Sequence, residues 1–245
     1  VPPMHNADLI VIGAGPAGMS AAHRAAALGL SVLILDEQPV AGGQIYRNVD
    51  RASAARNDIL GKDYTHGRTL TEGLHHENIT HLMGAVIWQI EDGTRVAFTQ
   101  NGKGALAVGQ RILLATGALE RPMPLPGWTL PGVMTAGAAQ ILLKQSGIAC
   151  QGAVLVGSGP LLYLIATQMV RAGVPPLALV ETQTTGDLTK SMRHLGGVLR
   201  GWPYLVKGLR MLWDLRRAGI PRHVGATAIA IEGDQNAQAV TFKIG

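Results

Sequence analysis

The stretch Asp8-Leu9-Ile10-Val11-Ile12-Gly13-Ala14-Gly15-Pro16-Ala17-Gly18 decides the fold. Five residues of a short buried strand run straight into a glycine-rich turn, and an alanine-rich helix follows to about Leu28. Gly29 ends that helix, and residues 31–35 read as a second strand finishing at Asp36. Gly13, Gly15, Gly18, Ala22 and Gly29 together fit GxGxxGxxxAxxxxxxG in full. Gly13 permits the tight turn, Gly15 lets main chain approach a diphosphate, and Gly18 with Ala22 lets the helix lie close to the sheet. The helix N-terminus then faces the phosphates with unpaired N–H groups and the positive end of its dipole. Asp36, 23 positions after Gly13, is placed to accept hydrogen bonds from an adenosine ribose.

The same pattern returns 144 positions later. Residues 153–156 form a strand, Gly157-Ser158-Gly159-Pro160-Leu161-Leu162 the turn, and a helix to about Ala172 leads to a strand finishing at Glu181. Two β-α-β units imply an α/β protein of two doubly wound, Rossmann-like dinucleotide-binding domains. The proline-rich run Arg121-Pro122-Met123-Pro124-Leu125-Pro126-Gly127 reads as the boundary, giving residues 1–125 to the first dinucleotide-binding domain and 126–245 to the second, NAD-type one. Between the copies, residues 61–77 read as helix, and 80–90, 94–100, 105–108 and 111–115 as strands. Residues 135–144 and the amphipathic run 204–218 read as helices.

With 245 residues the chain can bury a sizeable core, and 47% apolar against 15% charged residues excludes disorder. Its one cysteine, Cys150, excludes a disulfide framework, a CxxC pair and an all-cysteine metal site; it reads as a small core residue and points to a reducing, cytoplasmic setting. The chain opens on Val1 without a signal-peptide pattern, which reads as a processed or truncated piece. The uncharged stretch 145–170 is long enough for a membrane span, but the glycine turn at 157–160 divides it into strand and helix. Eight Lys/Arg against Asp214 alone put +7 on residues 190–223, read as a basic helical insertion, and leave −2 on the rest. Its face would meet solvent, an acidic partner or a membrane surface, the last making the protein peripheral at the inner face. No reading helix or stacking platform accompanies it, so nucleic acid is not expected. The eight histidines match no metal-ligand spacing, Ser158 does not sit in a Gly-x-Ser-x-Gly elbow, and no catalytic acid or base stands out.

The fingerprint identifies an ADP moiety, and two further pieces favour FAD. Gly42-Gly43-Gln44 suits main chain passing close to a flavin chain, and Leu113-Leu114-Ala115-Thr116-Gly117 ends a late strand with a small turn beneath the same nucleotide. The second copy is worn. Leu162 replaces the third glycine, pushing helix and strand apart. Two readings of Gly157, Gly159 and Glu181 stay open: an NAD(H) or other adenine-nucleotide pocket, and an inherited fold that no longer binds, with the worn motif tipping towards the second.

These residues carry a resemblance. Asp8–Gly18, Asp36-Glu37-Gln38, Gly42-Gly43-Gln44-Ile45-Tyr46-Arg47 and Ala115-Thr116-Gly117-Ala118-Leu119-Glu120-Arg121-Pro122 look like flavoproteins with two dinucleotide domains. More narrowly, Pro126-Gly127-Trp128-Thr129-Leu130-Pro131-Gly132-Val133 and Thr135-Ala136-Gly137-Ala138-Ala139-Gln140 resemble the first flavoprotein subunit of bacterial opine oxidase, hydrogen cyanide synthase and hydroxyproline/proline dehydrogenase complexes. The resemblance implies that Gly13, Gly15, Pro16, Ala17, Asp36, Glu37, Gly43, Gln44, Val86 and Thr116–Gly117 line FAD, Val86 meeting adenine through its backbone. It implies a partner flavoprotein subunit carrying the substrate-oxidising site, and an iron–sulfur subunit or segment. Family members continue well beyond this length, so the C-terminal part of the flavin domain is expected to be missing. Three functions follow: an FAD-containing subunit of a hetero-oligomeric amine or imino-acid dehydrogenase, an NADH-dependent flavoprotein reductase, and a non-redox scaffold holding ATP or ADP.

Overall fold

Strand β1 (Met4–Ile12) lies at the centre of a six-stranded sheet, flanked on both sides by parallel neighbours. A strand covered on both faces needs apolar residues at every position, which explains the unbroken Leu9-Ile10-Val11-Ile12. Ile10 and Ile12 pack with Leu33, Leu35, Val96, Phe98 and Ala107, while Val11 packs with Ala22, Ala25 and Ala26 of helix α1 (Pro16–Ala27). The small alanines let α1 settle onto the strand. A side chain on Gly18 would run into the carbonyl oxygen of Gly13, so helix and turn meet backbone to backbone.

The computed structural model describes residues 3–91, 93–184, 186, 197 and 201–244. It divides the chain into two units, Val1–Leu119 and Glu120–Gly245, each with Rossmann-like parallel strands, the first in a sheet that continues into two antiparallel strands. In the first unit the order is β3-β2-β1-β6-β5-β4, built from β2 (Val32–Asp36), β3 (Ile79–Met83), β4 (Val86–Glu91), β5 (Arg95–Gln100) and β6 (Lys103–Leu114). The span 80–90, expected as one strand, is two. Gly84, at φ +67°, turns the chain from parallel β3 to β4, which pairs antiparallel with β5. Conversely the two strands expected at 105–108 and 111–115 are one, because β1 pairs with β6 on both sides of Gln110, and Gln110 Nε2 donates to Asp8 Oδ1 at 2.7 Å. The helix expected over 61–77 is divided into α3 (Lys62–Thr65) and α4 (Gly67–Glu72), which part at Gly67, directly under the Tyr46 ring; an unexpected helix α2 (Ala54–Leu60) precedes them and ends at Gly61, at φ +87°.

In the second unit, helix α5 (Ala136–Ser146) precedes the parallel strands β7 (Val154–Gly157) and β8 (Ala178–Glu181), joined by helix α6 (Pro160–Arg171). Helix α7 (Trp202–Arg217) leads to a third parallel strand, β9 (Arg222–Val224), followed by the antiparallel hairpin β10 (Ala226–Glu232) and β11 (Ala239–Ile244). Of the basic stretch read as an insertion, residues 190–196 and 198–200 lie outside the described residues, and α7 with β9 forms a crossover of the parallel sheet. Leu155, Leu162, Ile165, Met169, Leu179 and Leu215 make this unit's core. The proline-rich run joins it, the Ile231 N–H donating to the Pro126 carbonyl at 2.8 Å. Among the described residues no helix is long and apolar enough to cross a membrane.

Candidate functional site

In the first unit the C-terminal ends of β1, β2 and β6 bring together three segments distant in sequence. The Gly13 N–H donates to the Leu35 carbonyl at 2.8 Å, and the Ala115 N–H donates to the Ile12 carbonyl at 2.8 Å. Gly13 takes φ +104°, and a side chain there would strike the Ala115 carbonyl, so the turn presses against Ala115-Thr116. Gly42 N–H donates to the Ala14 carbonyl at 2.9 Å, and a Cβ on Gly43 would lie 2.8 Å from the Cα of Gly15. Gly13 to Gly18, Gly42 to Gln44 and Ala115 to Gly117 thus surround one place. Val86 is brought to the same end, since the Ala85 N–H donates to the Asp36 carbonyl at 2.9 Å and the Gly84 N–H to that of Gln38 at 3.2 Å.

Gly15 differs from its neighbours. Its backbone has φ −75° and ψ 179°, which any residue adopts, and a Cβ there would meet only the Cα of Gly43, at 4.0 Å. Neither conformation nor packing requires glycine, so the space above it is a cradle that a side chain would fill. The helix that starts there has no side-chain cap, no acid in its first turn, and Pro16 in place of one N–H donor. The N–H groups of Ala17 and Gly18 in that turn can receive an anion, and a dinucleotide diphosphate fits the cradle.

Asp36 does more than its spacing suggests. Its carboxylate is buried, accepting from the Ala14 N–H through Oδ2 and from the Gln38 N–H through Oδ1 at 2.7 Å. It therefore ties the glycine turn to the end of β2, with lone pairs left for a ribose hydroxyl. Glu37, beside it, is exposed and accepts from Gln38 Nε2 at 3.1 Å. Two groups that sequence reasoning passed over lie close by: the Nε of Arg47 and the Nε2 of His81 are buried without hydrogen-bond partners.

His81 pairs in register with Ile34 on β2. Burial pushes its imidazole below the ordinary pKa, against the pull of Asp36 in the other direction. The unfolded chain therefore binds this proton more readily than the folded one. Stability should be full above the unfolded value of about 6.5 and fall as pH drops below it towards the lower folded value. Urea midpoints measured across that range should show a shallower slope in His81→Leu than in the parent chain; parallel slopes would remove His81 from the account.

The second glycine turn has a different character. Gly157 and Gly159 stand at φ +145° and +90°, so here backbone conformation alone accounts for both glycines. Leu162, where a third glycine would stand, is buried between α6 and β7 in the unit's core. Glu181, expected to meet a ribose, has no exposed surface. Its Oε1 accepts from Arg222 Nε at 2.7 Å, and its Oε2 from Arg222 Nη2 at 3.1 Å, Tyr163 Oη at 2.6 Å and Gln183 Nε2 at 2.7 Å. Burial raises the Glu181 carboxyl, but these donors outweigh it and hold the pKa below the ordinary value. Tyr163 is pushed up by burial and by the Glu181 charge. Both carboxylate oxygens are engaged from within the protein, Oε1 by one donor and Oε2 by three. Cys150, expected as a core residue, is half-buried with its Sγ 3.8 Å from Met134 Sδ.

Residues 7–193 match the family model described as pyridine nucleotide-disulphide oxidoreductase. Across 97% of its length the chain is 45% identical to an opine oxidase subunit from Agrobacterium tumefaciens, covering 49% of that protein. It is 33% identical, over 95% of its length, to hydrogen cyanide synthase subunit HcnB of Pseudomonas aeruginosa, covering 50% of it. The chain thus spans about half the length of these curated relatives. Among solved structures, L-proline dehydrogenase from P. horikoshii superposes with a TM-score of 0.60 at 20% identity, over 74% of this chain and 37% of that one. Thioredoxin reductase from T. acidophilum gives 0.59 at 17% identity, over 98% of this chain and 71% of that one; both likenesses concern the fold.

Proposed function

The chain belongs to the pyridine nucleotide-disulphide oxidoreductase family, and from that premise we propose that it is the FAD-holding subunit of a hetero-oligomeric amine or imino-acid dehydrogenase, passing electrons between flavins and an acceptor. The observation that carries the nucleotide part is Gly15, a glycine that neither backbone conformation nor packing requires at an uncapped helix N-terminus. In this reading residues 1–125 hold the dinucleotide. Ala17 and Gly18 offer N–H groups to its diphosphate, Asp36 and Glu37 meet the adenosine ribose, and Val86 meets adenine through its backbone. Gly42, Gly43, Gln44, Ala115, Thr116 and Gly117 lie along the chain towards the flavin. FAD, when bound, supplies two-electron chemistry that no side chain here supplies; the protein orients it and sets its surroundings. With one cysteine in 245 residues, the dithiol half of the family's name has no counterpart in this stretch.

The amine or imino-acid class and the partner subunits are supported by likeness, since the relatives are named as subunits of opine oxidase and hydrogen cyanide synthase. The partner in this reading is a second flavoprotein subunit, with an iron–sulfur subunit or segment as the route onward. The test is to purify the whole complex from its source, denature it, and identify every released small molecule and every copurified chain. FAD and a second flavoprotein chain are expected. A colourless complex that releases only ATP or ADP would replace this proposal with a non-redox scaffold.

A further inference from the structure

The site has an electrostatic gap. A dinucleotide diphosphate carries two negative charges, and the acids nearest the glycine turn, Asp36 and Glu37, oppose it. The helix N-terminus offsets only about half a charge. A cation would offset the remainder, and Arg47 stands where one would serve.

Arg47 follows Gly43, which packs against Gly15, by four positions. The turn between them is closed by the Tyr46 N–H donating to the Gly42 carbonyl at 3.0 Å. The backbone of Arg47 is anchored from α3, where Tyr64 Oη donates to its carbonyl at 2.7 Å. Its side chain runs back to Gln38, Nη1 donating to Gln38 Oε1, and the Gln38 N–H in turn donates to Asp36 Oδ1 at 2.7 Å. Both ends of the side chain are therefore fixed: the backbone beside the diphosphate turn, the guanidinium beside the ribose acids. Yet Nε is buried with no acceptor. A buried guanidinium N–H left unpaired carries a desolvation penalty, which a ligand oxygen would remove. An Arg held at one arm of its fork, with another N–H unpaired, suits a phosphate better than a mobile Lys would.

We propose that Arg47, oriented by Gln38, is the residue that recognises the diphosphate of the bound dinucleotide and offsets its charge against Asp36 and Glu37. The inference rests on the nucleotide reading of the first glycine turn.

Titration calorimetry on the full chain freed of nucleotide separates the two. ADP and adenosine are the probes, at low and high salt, against the parent chain, Arg47→Met and Arg47→Lys. Arg47→Met should weaken ADP by about 10- to 100-fold, the equivalent of one charge-assisted hydrogen bond, while adenosine affinity stays level. The salt dependence of ADP binding should flatten in the same variant, and Arg47→Lys should recover part of the loss. Equal ADP affinity in parent and Arg47→Met, or equal losses for ADP and adenosine, would overturn the role of Arg47 and leave the nucleotide site standing. A parent chain that binds neither probe would overturn the nucleotide reading and this inference with it.

Discussion

Gly15→Ala should fold as well as the parent chain and retain almost no flavin. Alanine suits φ −75° and ψ 179°, and its Cβ would sit at ordinary contact distance, 4.0 Å, from the Gly43 Cα. Loss of glycine also reduces the freedom of the unfolded chain, which favours the variant by about 0.4–1 kcal/mol. The methyl group nevertheless stands where the diphosphate must meet main chain. A bound dinucleotide would have to move outward and give up hydrogen bonds to the first turn of α1. Two such charge-assisted bonds correspond to about 3 kcal/mol, or about 100-fold in affinity. Flavin per chain, measured after denaturation, should fall accordingly while the melting temperature of the nucleotide-free form holds or rises. Gly18 is the counter-case, since a side chain there strikes the Gly13 carbonyl and damages the fold before binding is in question. Undiminished flavin in Gly15→Ala would leave the cradle without a function.

How much of this was legible in sequence depends on range. The first β-α-β unit was readable because each requirement is local: a strand buried on both faces, three glycines in a turn, alanines on one face of a helix. The places where reading failed are those decided by distant neighbours. Residues 106–114 continue as one strand because β1 pairs along them on both sides of Gln110, which no local pattern records. Strand β9 has only three residues, and its existence follows from pairing with β8. At the site, Asp36 was placed by its spacing, but its tie to the Ala14 N–H comes from the turn's closure. Arg47 was quoted only as part of a motif, because its link to Gln38 appears only once the chain has turned back at Gly42. Glu181 sits at the expected spacing for a ribose acceptor, and sequence offers no sign that Arg222, 41 positions onward, will occupy it.

That occupation makes the second unit's expected response one of stability. Arg222→Ala should destabilise this unit by about 2–3 kcal/mol, below the full cost of breaking an enclosed ion pair because the Arg222 side chain is 32% exposed while Glu181 is wholly buried. Glu181 is wholly enclosed, and Tyr163 and Gln183 donate to a single oxygen, Oε2, leaving Oε1 bare once Arg222 Nε is gone. The pH dependence distinguishes this from simple loss of packing. In the parent chain the folded pKa of Glu181 lies below the unfolded one, so its contribution is present above about pH 4.3 and lost as pH falls through the lower folded value. In Arg222→Ala burial dominates and the carboxyl rises, so its contribution is present in acid and lost as pH increases. The gap between the two proteins should therefore be wide at neutral pH and narrow on acidification. A gap that stays constant would assign the loss to packing, and no gap at neutral pH would mean that the pair does not hold the unit together. The same arrangement bears on NADH, because a ribose hydroxyl at Glu181 must displace Arg222 or Tyr163 from a carboxylate whose oxygens are already met. Saturable binding of NADH to this unit would show that the lock opens, and would restore the reading of a self-sufficient NADH-dependent reductase; its absence leaves electron entry to a partner.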